Sequence, residues 1–209
     1  MSTNYLAKLL GDACYGFLAI NFFWGLYHII LGFRRIMELS FRNHNEQTEF
    51  MEELMTSLLE SKYAAAEELC DDDARALPQL SHMAIVNRGL GHDQLRQLVT
   101  EVVQRDVLGD LEYRTGWVAT VIKSGPLLGL FGTVLGMMAA FGRIGTGEKV
   151  QPSQIADEIS VALICTAMGL ATAIPFNFLM ASLNAKIRKF QDALGTGLVR
   201  VLDALKTPN

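Results

Sequence analysis

The chain has 209 residues, half of them apolar, a net charge of −4 and a mean hydropathy of +0.24, high for a soluble domain of this size. Its basic residues are not clustered as a nucleic-acid footprint requires, which argues against nucleic acid as a partner. Cys14, Cys70 and Cys165 are odd in number and widely spaced, leaving no disulfide framework and no C-x-x-C metal site, so they read as small apolar filler.

Charge is distributed unevenly along the chain. Residues 34–116 are rich in it, whereas the segments around 13–33, 125–142 and 159–183 contain almost none. A hydrocarbon core about 30 Å thick needs roughly 20 apolar residues at a helical rise of about 1.5 Å. The expected architecture is therefore an all-α membrane protein with three transmembrane helices and long cytoplasmic helical extensions. Its expected segments are a periplasmic N-terminus (1–12), span one (13–33), a cytoplasmic helical domain (34–116) and span two (117–142). A periplasmic loop (143–158), span three (159–183) and a cytoplasmic C-terminal helix (184–209) follow.

Span one, ACYGFLAINFFWGLYHIILGF, exceeds the roughly 7–15 residues of a secretory h-region and ends in Arg34-Arg35 with no small-x-small cleavage site behind it. It reads as a retained span. Trp24 and Tyr27 are its amphipathic aromatics, and Asn21 and His28, as polar groups at bilayer depth, are expected to face protein or water. For His28 a helix–helix hydrogen bond or an interfacial position is the reading, ahead of a proton relay. Fourteen of the eighteen basic residues lie in 34–116 and 184–209, and Arg34, Arg35, Arg42, Arg105, Arg114, Lys186, Arg188 and Lys189 flank the span ends on that side. The positive-inside rule then puts the N-terminus outside and the C-terminus in the cytoplasm.

In the charged segment, Phe50, Leu54, Leu58 and Leu59 recur at helical spacing between Glu46 and Cys70, predicting one amphipathic helix that Leu77-Pro78 brings to an end. A second helix is predicted from His92 into span two, with Leu95, Leu98, Val99, Val102 and Val103 as its stripe. Asp71-Asp72-Asp73 reads as a solvated turn, not a metal site. His82, His92 and Asp93 have no nucleophile–base or metal-ligand spacing, so no enzyme and no cofactor is expected.

Span two, SGPLLGLFGTVLGMMAAFG, places Gly125, Gly129, Gly132 and Gly136 at i, i+4, i+7 and i+11 on one helix face, with Thr133 at its border. These glycines lie between no strand and helix, so a phosphate-loop reading fails. Span three, ISVALICTAMGLATAIPFNFLMASL, places Ala162, Thr166, Gly169 and Ala173 in the same arrangement. Small faces let backbones approach closely in lipid, where apolar burial alone gives no preference for protein. Pro175 is expected to kink span three and free a carbonyl. Each threonine hydroxyl either bonds back to its own i−4 carbonyl or serves a neighbour, and the spacing leaves both open.

The stretch GPLLGLFGTVLGMMAAF, followed by ALICTAMGLATAIP, resembles the proton-channel domain of the MotA/TolQ/ExbB family over roughly residues 110–190, with length and span number favouring the TolQ/ExbB branch. The resemblance implies an inner-membrane energy-transducing complex. Five such subunits would enclose a pair of single-span partner helices of the ExbD/TolR/MotB type, whose membrane aspartate takes up and releases protons beside threonines matching Thr133 and Thr166. A TonB-like periplasm-spanning protein would be a further partner. That family usually carries a glutamate five residues before the span-three threonine; here the position is Val161. Asp157 and Glu158 are the nearest acids, and Glu158 shares the Thr166 face, as an entry group in place of the missing carboxylate or simply as a charge favouring the positive end of span three. A non-conducting scaffold and a motility-type stator are the alternatives, and hydroxyls alone do not decide between proton and sodium.

Overall fold

The structure, a computed structural model, describes residues 2–145 and 151–206; part of the expected periplasmic loop, 146–150, and both chain ends lie outside the described residues. Every regular element among them is helical: α1 (Ser2–Leu39), α2 (His44–Leu59), α3 (Tyr63–Cys70), α4 (Ala76–Val86), α5 (His92–Val102), a π-helical turn (Val103–Leu108), α6 (Gly109–Gly145) and α7 (Pro152–Lys206). Three helical stretches are long and apolar enough to cross a membrane, within Ala13–Leu39, His92–Gly145 and Pro152–Lys206. The predicted extensions are continuous with these spans: α5 runs through the π turn into α6, and the C-terminal helix is the end of α7.

The chain forms two compact units. One comprises Met1–Ile30 and Thr115–Ser182, and is built from the apolar parts of α1, α6 and α7. Small residues set its packing. A Cβ on Gly25 of α1 would meet Val121 Cγ1 at 2.7 Å and the Phe176 ring at 3.1 Å, so this glycine admits an α6 valine and an α7 phenylalanine. Cys14 and Cys165 are buried with Leu18 and Leu135 in one apolar cluster, the filler role expected of them. Asn21 faces protein, its Nδ2 donating to Ser124 Oγ at 2.6 Å. His28, 5 % exposed, is stacked on Trp117 at 5.9 Å between ring centroids and flanked by Trp24 and Tyr27, so it packs among aromatics across a helix boundary.

The other unit comprises Leu31–Arg114 and Leu183–Asn209. Leu54, Leu58, Leu77, Leu80, Ile85, Leu95, Val99, Leu111, Leu183, Leu194 and Val201 are buried in it. Three expectations fail here. The segment from Glu46 to Cys70 is two helices, because Ser61 takes the left-handed conformation at φ 56° and reverses the chain. Lys62 N–H donates to Ser57 O at 2.9 Å and Ser61 N–H to Leu58 O at 3.1 Å, the bonding of a Schellman stop, with serine where glycine is usual. Leu59 lies off the buried stripe, 65 % exposed, and Met51 takes its place. Leu77-Pro78 opens a helix instead of closing one: both lie in the first turn of α4, where a missing N–H costs no helical bond. Asp110 gathers arginines from two helices, Arg35 of α1 at 3.3 Å and Arg114 of α6 at 3.0 Å.

Candidate ion-path site

The glycine stripe of α6 faces the small stripe of α7 directly. A Cβ at Gly129 would stand 2.8 Å from Cys165 O and 2.9 Å from Thr166 Cα, one at Gly169 would stand 2.5 Å from Gly125 O, and one at Gly136 would stand 2.5 Å from Ala162 Cβ. At Gly132 the neighbour is the Cys165 side chain. Backbone meets backbone at Gly129 and Gly169, while Gly132 and Gly136 admit the Cys165 and Ala162 side chains, so all four glycines are required by close approach, not by unusual dihedrals. Ala162 and Ala173, each 5 % exposed, continue the buried α7 face.

The two threonines come together at the centre of the seam. Thr166 Oγ1 donates across the helices to Gly129 O at 3.0 Å and lies 3.4 Å from Thr133 Oγ1. Thr133 Oγ1 donates to Leu130 O of its own helix at 2.7 Å. Carbonyl oxygens only accept, so the direction of both short bonds is fixed by chemistry. The intrahelical option therefore describes Thr133, at i−3, while Thr166 reaches the neighbouring helix. Thr133 is 5 % exposed and Thr166 half-buried, so a visiting group meets Thr166 first. With both protons directed at carbonyls, the lone pairs remain free to accept a proton from a carboxylic acid; rotating the Thr166 hydroxyl would let it donate to a carboxylate instead.

Glu158 is held by Arg143, Nη1 to Oε1 2.6 Å, a bond joining the end of α6 to the first turns of α7. Neither reading of Glu158 from the sequence included this partner. It lies two turns before Thr166 on an unbroken α7, while Val161 is 54 % exposed. Pro175 sits within a helix that continues through it, on an exposed face shared with Ala171, whose carbonyl lacks the bond Pro175 cannot give. Pro126 likewise lies inside α6.

Polar groups that the sequence reading passed over complete the surroundings. Tyr15 Oη donates to Val161 O at 2.7 Å, tying α1 to α7 one turn before Cys165. Thr172, 8 % exposed, bonds back to Met168 O at 3.0 Å. For Thr172 the available signal was a hydroxyl at helical spacing from Gly169 in the α7 stripe; for Tyr15 there was none. Among the described residues no cluster of His, Cys, Asp and Glu could hold a metal.

Compared with known sequences, residues 72–195 match the model of the MotA/TolQ/ExbB proton channel family, more than half of the chain and including both small-residue stripes and both threonines. The chain belongs to this family. The MotA/TolQ/ExbB match begins well upstream of residue 110, so it includes α4 and α5, beyond the roughly 110–190 over which the resemblance was drawn. The Tol-Pal system protein TolQ of Haemophilus influenzae is 42% identical over 79 residues, 36% of this chain and 35% of that protein. The biopolymer transport protein ExbB of Aquifex aeolicus is 39% identical over 80 residues, 38% and 54% of the two chains, and that of Neisseria gonorrhoeae 32% over 110 residues, 51% and 44%. The chain thus spans about a third to a half of these relatives, all named for the TolQ/ExbB branch. Membership of a proton-channel family makes this a multi-pass membrane protein without catalytic chemistry of its own.

Proposed function

We propose that this protein is the channel, or stator, subunit of an inner-membrane complex that couples the proton motive force to work done through a single-span partner subunit. The supporting observation is the Thr166–Gly129–Thr133 arrangement: two neutral hydroxyls within one hydrogen-bonded group, in a family-matched seam, with the half-buried one outermost. A partner carboxyl group arriving beside Thr166 finds acceptors when protonated and, after hydroxyl rotation, a donor when ionised. No charge has to be stored on this chain at bilayer depth, where it would be costly. Each elementary charge moved is worth about 2.3 kcal/mol per 100 mV, so a few protons per cycle supply mechanical work.

The partner is of the ExbD/TolR/MotB type with a membrane aspartate, and a TonB-like protein is a candidate recipient of the work. A closed oligomer, five subunits by family analogy, would cover the exposed Pro175–Ala171 face and the outward apolar residues of α6 and α7, among them Leu127, Phe131 and Ile164. The basic flanks assign the charged unit to the cytoplasm.

The test is a complex carrying Thr133→Ala and Thr166→Val. We expect normal assembly and a loss of driven activity on the order of tenfold or more. Wild-type activity in that variant would rule out the assigned path. A scaffold role has one observation in its favour, the burial of Thr133 with its proton already satisfied. It predicts that removing the partner's aspartate leaves every phenotype unchanged. Replacing the proton gradient by a sodium gradient in reconstituted vesicles identifies the ion.

A further inference from the structure

A cleft of about 900 Å³ lies wholly within the charged unit, between the segment that follows span one and the stretch of α7 that follows span three. Its apolar wall is formed by Ile36, Leu39, Leu77, Phe190 and Leu194, all but entirely buried. Arg42, Lys186 and Lys189 line it too, and no acidic side chain does. Among the described residues, none of the three has a carboxylate within ion-pairing distance; the Lys186 ammonium rests 5.1 Å from the centre of the Phe33 ring. Elsewhere in this unit Arg34, Arg35, Lys62, Arg75, Arg88, Arg105 and Arg114 have carboxylate partners, and among the described residues Arg96, Arg188, Arg200 and Lys206 have none but do not line the cleft.

We infer that this cleft binds the headgroup and upper acyl region of an anionic phospholipid. Three observations favour that occupant. Charge in the lining is of one sign and unneutralised. The apolar wall suits an acyl chain and would give nothing to a free inorganic anion. The position is that of a headgroup, since Ile36 falls within the Ala13–Leu39 apolar stretch and Lys186 comes three residues after the end of the span predicted at 159–183. Basic pockets beside transmembrane helices recognise anionic lipids in this way, and the volume lies within the roughly 300–1,000 Å³ of typical ligand sites. Such a lipid would bridge α1 and α7, stabilising the charged unit only while the protein is in a membrane of suitable composition. The inference requires membrane insertion but not ion conduction, so it stands or falls separately from the channel assignment.

The experiment purifies the full chain from nanodiscs of equal phosphatidylglycerol and phosphatidylcholine content and measures retained lipid by mass spectrometry. Each basic residue near a membrane surface is worth roughly fivefold in attraction for anionic lipid, so we expect a preference on the order of tenfold or more for phosphatidylglycerol. It should fall at least fivefold in Arg42→Gln/Lys186→Gln/Lys189→Gln, and equally in Ala193→Trp, which keeps the charges and fills the cleft. Inorganic phosphate should not displace the lipid. Unchanged selectivity in either variant would overturn the inference. So would displacement by phosphate, which marks a free-anion site, or protection of an Ala193→Cys thiol that survives delipidation, which marks a cleft covered by a second copy.

Discussion

Thr133 and Thr166 illustrate what a residue can and cannot disclose before its neighbours are known. Their spacing from the glycines placed both on the seam, but spacing could not say which carbonyl each hydroxyl would meet; Thr166 found Gly129 of the other helix because no side chain stands between the backbones there. Arg143 and Glu158 went unpaired in the sequence because a link across a helical hairpin follows from loop geometry, which carries no periodicity. With side chains 45 % and 34 % exposed, the pair contributes at most about 1 kcal/mol to stability. Exchanging the two residues should therefore leave assembly intact, and activity tells the roles apart: a clasp tolerates the exchange, whereas an entry carboxylate at 158 does not, and Glu158→Gln alone then lowers transport severalfold while Arg143→Gln does not. Cys70 offers a test in the charged unit. Burial, with the Asp73 carboxylate adding to it, pushes its thiol up to about 12 from an ordinary value of 9.0. A raised acid is neutral when folded, so its contribution to stability is complete below pH 9 and lost as pH climbs from 9 toward 12. Maleimide labelling of Cys70 at pH 8 should be at least tenfold slower in the native protein than after denaturation.

At the scale of elements, the three long apolar helices were legible because 20-residue runs without charge admit few other structures. The α5 stripe of Leu95 and Val99 was legible from period alone. What was not legible lay at breaks. The α2 stop uses serine in a conformation that glycine normally marks, and Pro78 punctuates a beginning as readily as an end. The π turn at Val103–Leu108 has no compositional signature at all. Glycines gave the clearest signal and support the sharpest contrast. Gly129→Ala drives a methyl against the Cys165 carbonyl and the Thr166 backbone, neither of which can rotate away, and should cost about 1–3 kcal/mol. Gly195→Ala meets nothing within 4 Å and gains helix propensity of up to about 1 kcal/mol. Thermal unfolding in detergent, read as a shift in Tm, should move in opposite directions for the two.

For the whole molecule, the division into units follows the distribution of charge. The unit formed by Leu31–Arg114 and Leu183–Asn209 coincides within a few residues with the segments, 34–116 and 184–209, that hold fourteen of the eighteen basic side chains. Hydration explains the agreement: charged residues must remain in water, and the helices that carry them must then find their apolar contacts with one another there. The proposed orientation is open to direct measurement. A cysteine replacing Ser153 should react with a membrane-impermeant maleimide in intact spheroplasts, and one replacing Thr196 only after the inner membrane is lysed; the reverse pattern would invert the topology.

The seam between α6 and α7 also has mechanical content. Carbonyls and α-carbons in contact have no rotamers through which to yield, so the two helices resist shear against each other like a weld. Their outer faces carry Met137, Met138 and Met168, unbranched thioethers that slide and refill space at little cost. If a helix from elsewhere turns or tilts against this protein, the slip plane belongs on those methionines, and the welded pair is the rigid side of that contact.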